Sequence, residues 1–272
     1  MTKPVDSLIL EDMAEDAPID GGGSINLRRW TGAFSILAGL LLWEACARYV
    51  NSPLFLAAPS QTVYALYQLA IDGELAHDIY VSFSEFIIGY AVASLFGIVL
   101  GLVMASSDVG KRILQPWVSG LYATPMIALG PLFILWFGIG ILSKIVVVMI
   151  LVIFPVIINT EAGIRTTSPR LVEMLRSFGA TRQQIFFKVS LPSAAPFILA
   201  GLKIAIGRGL IAVVVAELFG SRAGLGRLIA ASAESFNMPY LFAAVVVLAG
   251  SGIALTAAFS ALEKRLVPWS KE

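Results

Sequence analysis

Apolar runs long enough to cross a lipid bilayer recur along this whole sequence, and no other feature narrows its fold so far. A helix crossing the hydrocarbon layer needs about 20 mostly apolar residues. Runs of that kind occupy about residues 30–49, 81–105, 141–158, 196–219 and 241–262. One more follows Lys111 and Arg112, extends to about residue 137, and is interrupted by Pro125 and Pro131. Charged residues make up only 14% of the chain, the apolar share is 58% and the mean hydropathy is +0.85. A soluble domain carries about a quarter charged residues. The expected fold is therefore all-α, a polytopic membrane protein with about six transmembrane helices.

Several chemistries lack their residues. A lone cysteine, Cys46, forms no internal disulfide, and with a lone histidine, His77, it supplies no Cys/His metal cluster. His77, among Asp72, Glu74 and Asp78, reads as a surface residue of an outer loop. There is no G-x-x-x-x-G-K-[ST] phosphate loop, H-E-x-x-H or G-x-S-x-G. Catalytic residues and a metal site are thus not expected, and a net charge of +1 gives no reason to expect nucleic acid. The segment through Asp6, Glu11, Asp12, Glu15, Asp16 and Asp20 lacks the basic start of a secretory signal. It reads as an acidic flexible tail over residues 1–27, jointed at Gly21-Gly22-Gly23-Ser24, ahead of a membrane domain over residues 28–272.

Some details mark local structure. Pro59-Ser60 followed by Val63, Leu66, Tyr67 and Ala70 has helical spacing, suited either to the membrane interface or to packing against other spans. Gly97 and Gly101 have the small-xxx-small spacing that lets two helix backbones approach, here expected within one subunit rather than at a dimer seam. Proline removes an amide donor, and such breaks survive at membrane depth beside a cavity or a helping neighbour. Thr124-Pro125-Met126 is therefore the candidate pathway bend. Basic residues favour cytoplasmic loops. A cytoplasmic tail puts Arg28, Arg29, Lys111, Arg112, Lys264, Arg265 and the basic residues of 165–192 inside, and leaves Arg48, Lys144, Arg222 and Arg227 outside. Both termini are then cytoplasmic.

The polar stretch over residues 165–192 interrupts the apolar pattern. Ser168-Pro169 opens a helix, with the serine oxygen available to cap free amides. Leu171, Met174, Leu175 and Phe178 follow at helical spacing, and Gly179 suits the left-handed residue of a helix stop. Thr181 and Gln184 form a capping box for a second short helix carrying Ile185, Phe186 and Val189, which Leu191-Pro192 ends. A helix, a glycine turn and a helix, with Arg170, Glu173, Arg176, Arg182 and Lys188, make a knob suited to a groove in another protein. Two interfacial helices tucked beneath the bundle would leave the same pattern.

Glu173, Gly179, Val189, Leu191 and Pro192 have the spacing E-A-A-x3-G-x9-I-x-L-P, and the stretch resembles the coupling loop of ABC importer permeases. Met174 and Leu175 stand for the two alanines and Val189 for the isoleucine. The likeness runs over about residues 30–266, through 131–138, Phe154-Pro155, 171–174 and Val215-Ala216-Glu217, and is strongest toward permeases of sulfonate, taurine and nitrate importers. It implies a type I importer fold in the bacterial inner membrane, working as a pair of two identical copies. It also implies docking on a dimer of ATP-binding subunits, which alone hold ATP-Mg, through Glu173, Arg176, Ser177, Phe178, Gly179, Ala180, Thr181 and Arg182. A solute-binding protein would dock outside, around residues 221–237, and deliver a small anionic organic solute or oxyanion. An ATP-independent secondary transporter or channel is the alternative class, and it leaves the polar knob unexplained.

Arg208 lies mid-span between Gly207 and Gly209, where a charge costs about 2.5–3.5 kcal/mol on insertion scales. It is the candidate contact for an anionic cargo group; pairing with Glu85 or Glu217, or reaching for water, would also account for it. Glu217, near the end of the same span, is expected to snorkel to the interface or to fix an outer gate, and Lys203 to snorkel at the other end.

Overall fold

The computed structural model describes residues 24–50, 52 and 54–270, and among them every regular element is helical. Contacts divide the chain into two units, Met1–Asn51 and Ser52–Glu272. In the first, α1 (Ser24–Val50) is apolar along most of its length, and near its end Glu44 pairs with Arg48 one turn on, at 2.7 Å. The expected tail lies outside the described residues up to residue 23, and its last four positions begin α1.

The second unit runs α2 (Pro59–Ile71), α3 (Glu74–Ser106), α4 (Asp108–Ala123), α5 (Gly130–Phe137), α6 (Ile141–Arg165), α7 (Pro169–Ser177), α8 (Arg182–Ile185), α9 (Leu191–Leu218), α10 (Leu225–Glu234) and α11 (Met238–Leu266). Five of the described helices are long and apolar enough to span a membrane, and the pair formed by α4 and residues 126–137, bent by 82°, makes a sixth if it counts as one span.

Side-chain size sets the packing. Gly89, Ala93, Gly97 and Gly101 recur every four residues on α3, and Val148, Val152, Val156 and Thr160 do so on α6. A methyl group added at Gly97 would sit 2.9 Å from the Val156 Cβ, and one at Gly101 2.6 Å from the Thr160 Cβ, so the two helices touch nearly backbone to backbone. The glycine spacing thus serves packing inside the subunit, as expected. Each α3 residue meets the α6 residue 59 positions on, a separation that the Glu85–Lys144 pair repeats. The two helices are therefore parallel, and the chain between their ends must travel back along the bundle. Lys111, at the start of α4, pairs with Glu161 near the end of α6 at 2.9 Å, while Lys144 pairs with Glu85 where α3 and α6 begin. The bent pair covers that distance and so acts as a crossing. On the other side of α6, α9 runs antiparallel: Gly201 meets Asn159 and Pro155, whereas Gly209 meets Val152.

The principal core joins Phe86, Phe133, Val148, Val152, Ile206 and Val213, and a second gathers Ala65, Leu69, Leu225, Leu228 and Ala243 around α2, α10 and α11. Helix α2 thus packs against spans, but through Thr62, Ala65 and Leu69; Val63 and Tyr67 of the expected apolar face are exposed.

Several boundaries correct the sequence reading. Pro131 starts α5 rather than breaking it, because a proline in the first turn lacks only a donor that has no helical partner. Asn159 does not end α6, since its amide bonds the Pro155 carbonyl at 2.8 Å and the helix continues to Arg165. Leu191-Pro192 does not end the helix before it: residues 186–190 widen into a π-type turn in which the Leu191 amide donates to the Phe186 carbonyl, and the chain runs straight into α9. The wider winding accommodates the proline without a break.

Candidate functional site

At the break between α4 and α5 the Thr124 hydroxyl turns back to the Gly120 carbonyl at 2.9 Å and the Met126 amide reaches the Thr124 carbonyl at 2.7 Å. Proline at 125 keeps the preceding residue extended, and Thr124 has φ −74° and ψ 136°. The break opens a cavity of about 220 Å³ lined by Leu121, Tyr122, Thr124, Pro125, Met126, Ile127, Ile150, Leu151, Phe154 and Arg208. Four of the five residues singled out for a pathway thus border one cavity, the consecutive Thr124, Pro125 and Met126 at the break and Arg208 from α9.

Arg208 is exposed toward this cavity. Its guanidinium donates to the Tyr122 hydroxyl at 3.0 Å and lies 5.2 Å from the centre of that ring. It pairs with neither Glu85 nor Glu217. Tyr122, which nothing in the sequence singled out, is its partner.

Glu217 lies elsewhere, which corrects its expected reach to the interface: only 1% exposed, it accepts from the Ser82 hydroxyl and from the Gly226 amide, both at 2.6 Å. Asp78, also buried rather than on a surface loop, accepts from the Gly224 amide at 2.7 Å and lies 3.5 Å from Arg227. The Leu225 amide donates to Ser82 at 2.8 Å. Three successive amides at the start of α10 are therefore met by side chains of α3 and α9. A helix start carries free donors and partial positive charge, so these acceptors hold it firmly. Gly224, at φ +116°, comes so close to the Glu217 carboxylate that a side chain there would collide with it. Beside this clamp Lys144 donates to Glu85 at 2.8 Å and to Ser221 at 2.7 Å. One sequence signal foreshadows the clamp: Asp78, Ser82 and Glu85 lie on a single face of an apolar helix. Lys203 is likewise not simply snorkelling, since it reaches Glu263 at 3.3 Å. His77 is exposed, on α3 rather than in a loop.

The polar stretch forms a helix–turn–helix. Gly179 has φ +81°, and the amide of Ala180 bonds the Leu175 carbonyl at 3.0 Å, closing α7. Thr181 and Gln184 cap α8 reciprocally, at 2.8 and 3.3 Å. Ser168 makes no side-chain cap for α7, contrary to expectation. Val172, Leu175 and Ile185 turn inward while Leu171, Met174 and Phe178 stand out, Phe178 at 81% exposure. Arg170, Glu173, Arg176 and Arg182 are all exposed, Arg176 and Arg182 beside Val172 and Ile185.

Residues 82–270 match the family of binding-protein-dependent transport system inner membrane components. The chain is 34% identical to the formylaminopyrimidine transport permease protein ThiX of Halalkalibacterium halodurans, over 86% of this chain and 93% of that protein. It is 32% identical to the taurine transport system permease protein TauC of Escherichia coli, over 90% and 92% of the two chains. Among solved structures it resembles the inward-facing MetNI methionine ABC transporter, with a TM-score of 0.63 at 18% identity over 72% of this chain and 98% of that one. At that identity the likeness speaks to fold.

Proposed function

Since the chain belongs to the family of binding-protein-dependent transport system inner membrane components, and is thus a multi-pass permease subunit of an ATP-driven ABC importer that does not itself hydrolyse ATP, we propose that residues 165–192 seat it on an ATP-binding subunit and that its cargo is a small anionic organic solute or oxyanion. The carrying observation is the exposed foot, in which Leu171, Met174 and Phe178 stand out around a rigid Gly179 turn. An apolar ridge ringed by arginines suits a groove in a folded partner.

Two copies of the chain enclose the pathway, because one bundle supplies half of it. Both termini and the foot lie in the cytoplasm, where two ATP-binding subunits hold ATP-Mg; a solute-binding protein docks on the opposite side around residues 221–237. Nucleotide closing draws the two feet together and rocks the helices between inward-open and outward-open states. Each ligand biases those states only through its difference in affinity for them. Relatives named for taurine and aliphatic sulfonates support an acidic cargo, as does Arg208.

Replacing Gly179 tests the coupling. Proline is locked near φ −65° and cannot adopt the +81° of this turn. In proteoliposomes holding the full assembly, Gly179→Pro should abolish uptake and the stimulation of ATP hydrolysis by loaded binding protein. Wild-type stimulation and uptake in that variant would remove the foot from the mechanism.

A further inference from the structure

We propose that Arg208 and Tyr122 together form the seat that receives the acidic group of the cargo part-way across the membrane, with Tyr122 a binding residue in its own right. This rests on the importer reading above and names the chemistry of its pathway.

Four observations converge. Lys144, Arg165 and Lys203 each meet a carboxylate, whereas Arg208 has no carboxylate within ion-pair distance among the described residues and meets a neutral phenol instead. The phenol oxygen accepts from the guanidinium, which leaves its own O–H free to donate, while most of the guanidinium's N–H groups remain available. Both donors border the same cavity, and the neighbouring Thr124 hydroxyl is already committed to the Gly120 carbonyl. Tyr122 is also held in place, its ring tilted against Phe154 at 6.1 Å between centres.

Polarity narrows the ligand. Met126, Ile150 and Phe154 give the cavity an apolar wall beside the guanidinium and the phenol. A carboxylate or sulfonate on a short aliphatic stem matches that pairing of a polar end with an apolar wall. A planar guanidinium beside a hydroxyl offers such a group several charge-assisted hydrogen bonds.

The test uses the permease with its ATP-binding subunit in lipid nanodiscs, without the binding protein, titrated by calorimetry with ethanesulfonate, propionate and the uncharged propionamide. Wild type should bind both anions at least about tenfold more tightly than the amide, as charge-assisted bonds imply. Arg208→Gln should erase that preference, and Arg208→Lys should keep part of it. Tyr122→Phe keeps the ring under the cation but removes the hydroxyl; it should weaken the anions about three- to tenfold and leave the amide unchanged. A merely structural role would shift all three probes alike. Failure of both anions to bind, equal binding of anions and amide, or wild-type anion affinity in Arg208→Gln overturns the proposal. ATP-driven uptake measured in parallel with the complete wild-type assembly separates the two readings: its absence sinks the importer, whereas uptake without any anion preference in the nanodisc titration sinks the seat alone.

Discussion

A methyl group added at Gly101 would lie 2.6 Å from the Thr160 Cβ and 2.8 Å from the Ile157 carbonyl oxygen, with no flexible side-chain tip to give way. At Gly120 nothing lies within 4 Å of such a group. Gly101→Val should therefore push α3 from α6 and cost about 1–3 kcal/mol, the usual penalty for overpacking. Gly120→Ala, which removes a flexible residue from α4, should be neutral or stabilising by up to about 1 kcal/mol. Thermal unfolding in detergent compares them, and equal midpoints would refute the close approach. At this scale backbone chemistry was the most legible: Gly179 and the Thr181–Gln184 cap follow from local conformation alone. Pro192 does not stop its helix, because whether a proline does so depends on how the preceding turn can widen.

Among the elements, α10 owes its position to side chains from other helices. Glu217 supplies the acceptors for the Gly226 amide and the Ser82 hydroxyl, which in turn receives Leu225. Glu217→Ala orphans two buried donors at about 1–3 kcal/mol each, a loss on the order of 2–6 kcal/mol. Glu217→Gln keeps an acceptor oxygen at the same length and should lose about half as much. Hydrogen exchange at residues 224–228 reads this directly: it should quicken most in the alanine variant, and unchanged exchange there would show that the clamp does not hold α10. Glu217 did not disclose this role in the sequence, because an acidic residue near the end of an apolar run looks the same whether it reaches for water or receives a helix start; the shared face of Asp78, Ser82 and Glu85 signals a polar partner without naming it.

For the whole molecule, the parallel course of α3 and α6 requires that the bent pair cross the membrane, which puts the start of α3 and the foot on opposite sides. With Cys46 replaced by serine, His77→Cys and Phe178→Cys should react with a membrane-impermeant maleimide from opposite faces, Phe178→Cys from the cytoplasm. Labelling of both from one face would make the pair a re-entrant loop and reverse α6. The sequence by itself determined that the chain is helical and membrane-embedded, where its path breaks at Thr124-Pro125 and where its polar foot turns, since hydropathy and backbone conformation are carried by neighbouring residues. Only the tertiary structure decided that Arg208 rests on Tyr122, that four pathway candidates border one cavity and that Asp78, Ser82 and Glu217 grip α10. Those pairings depend on which helices lie side by side and at what offset, and small residues on packed faces set that offset without naming the partner.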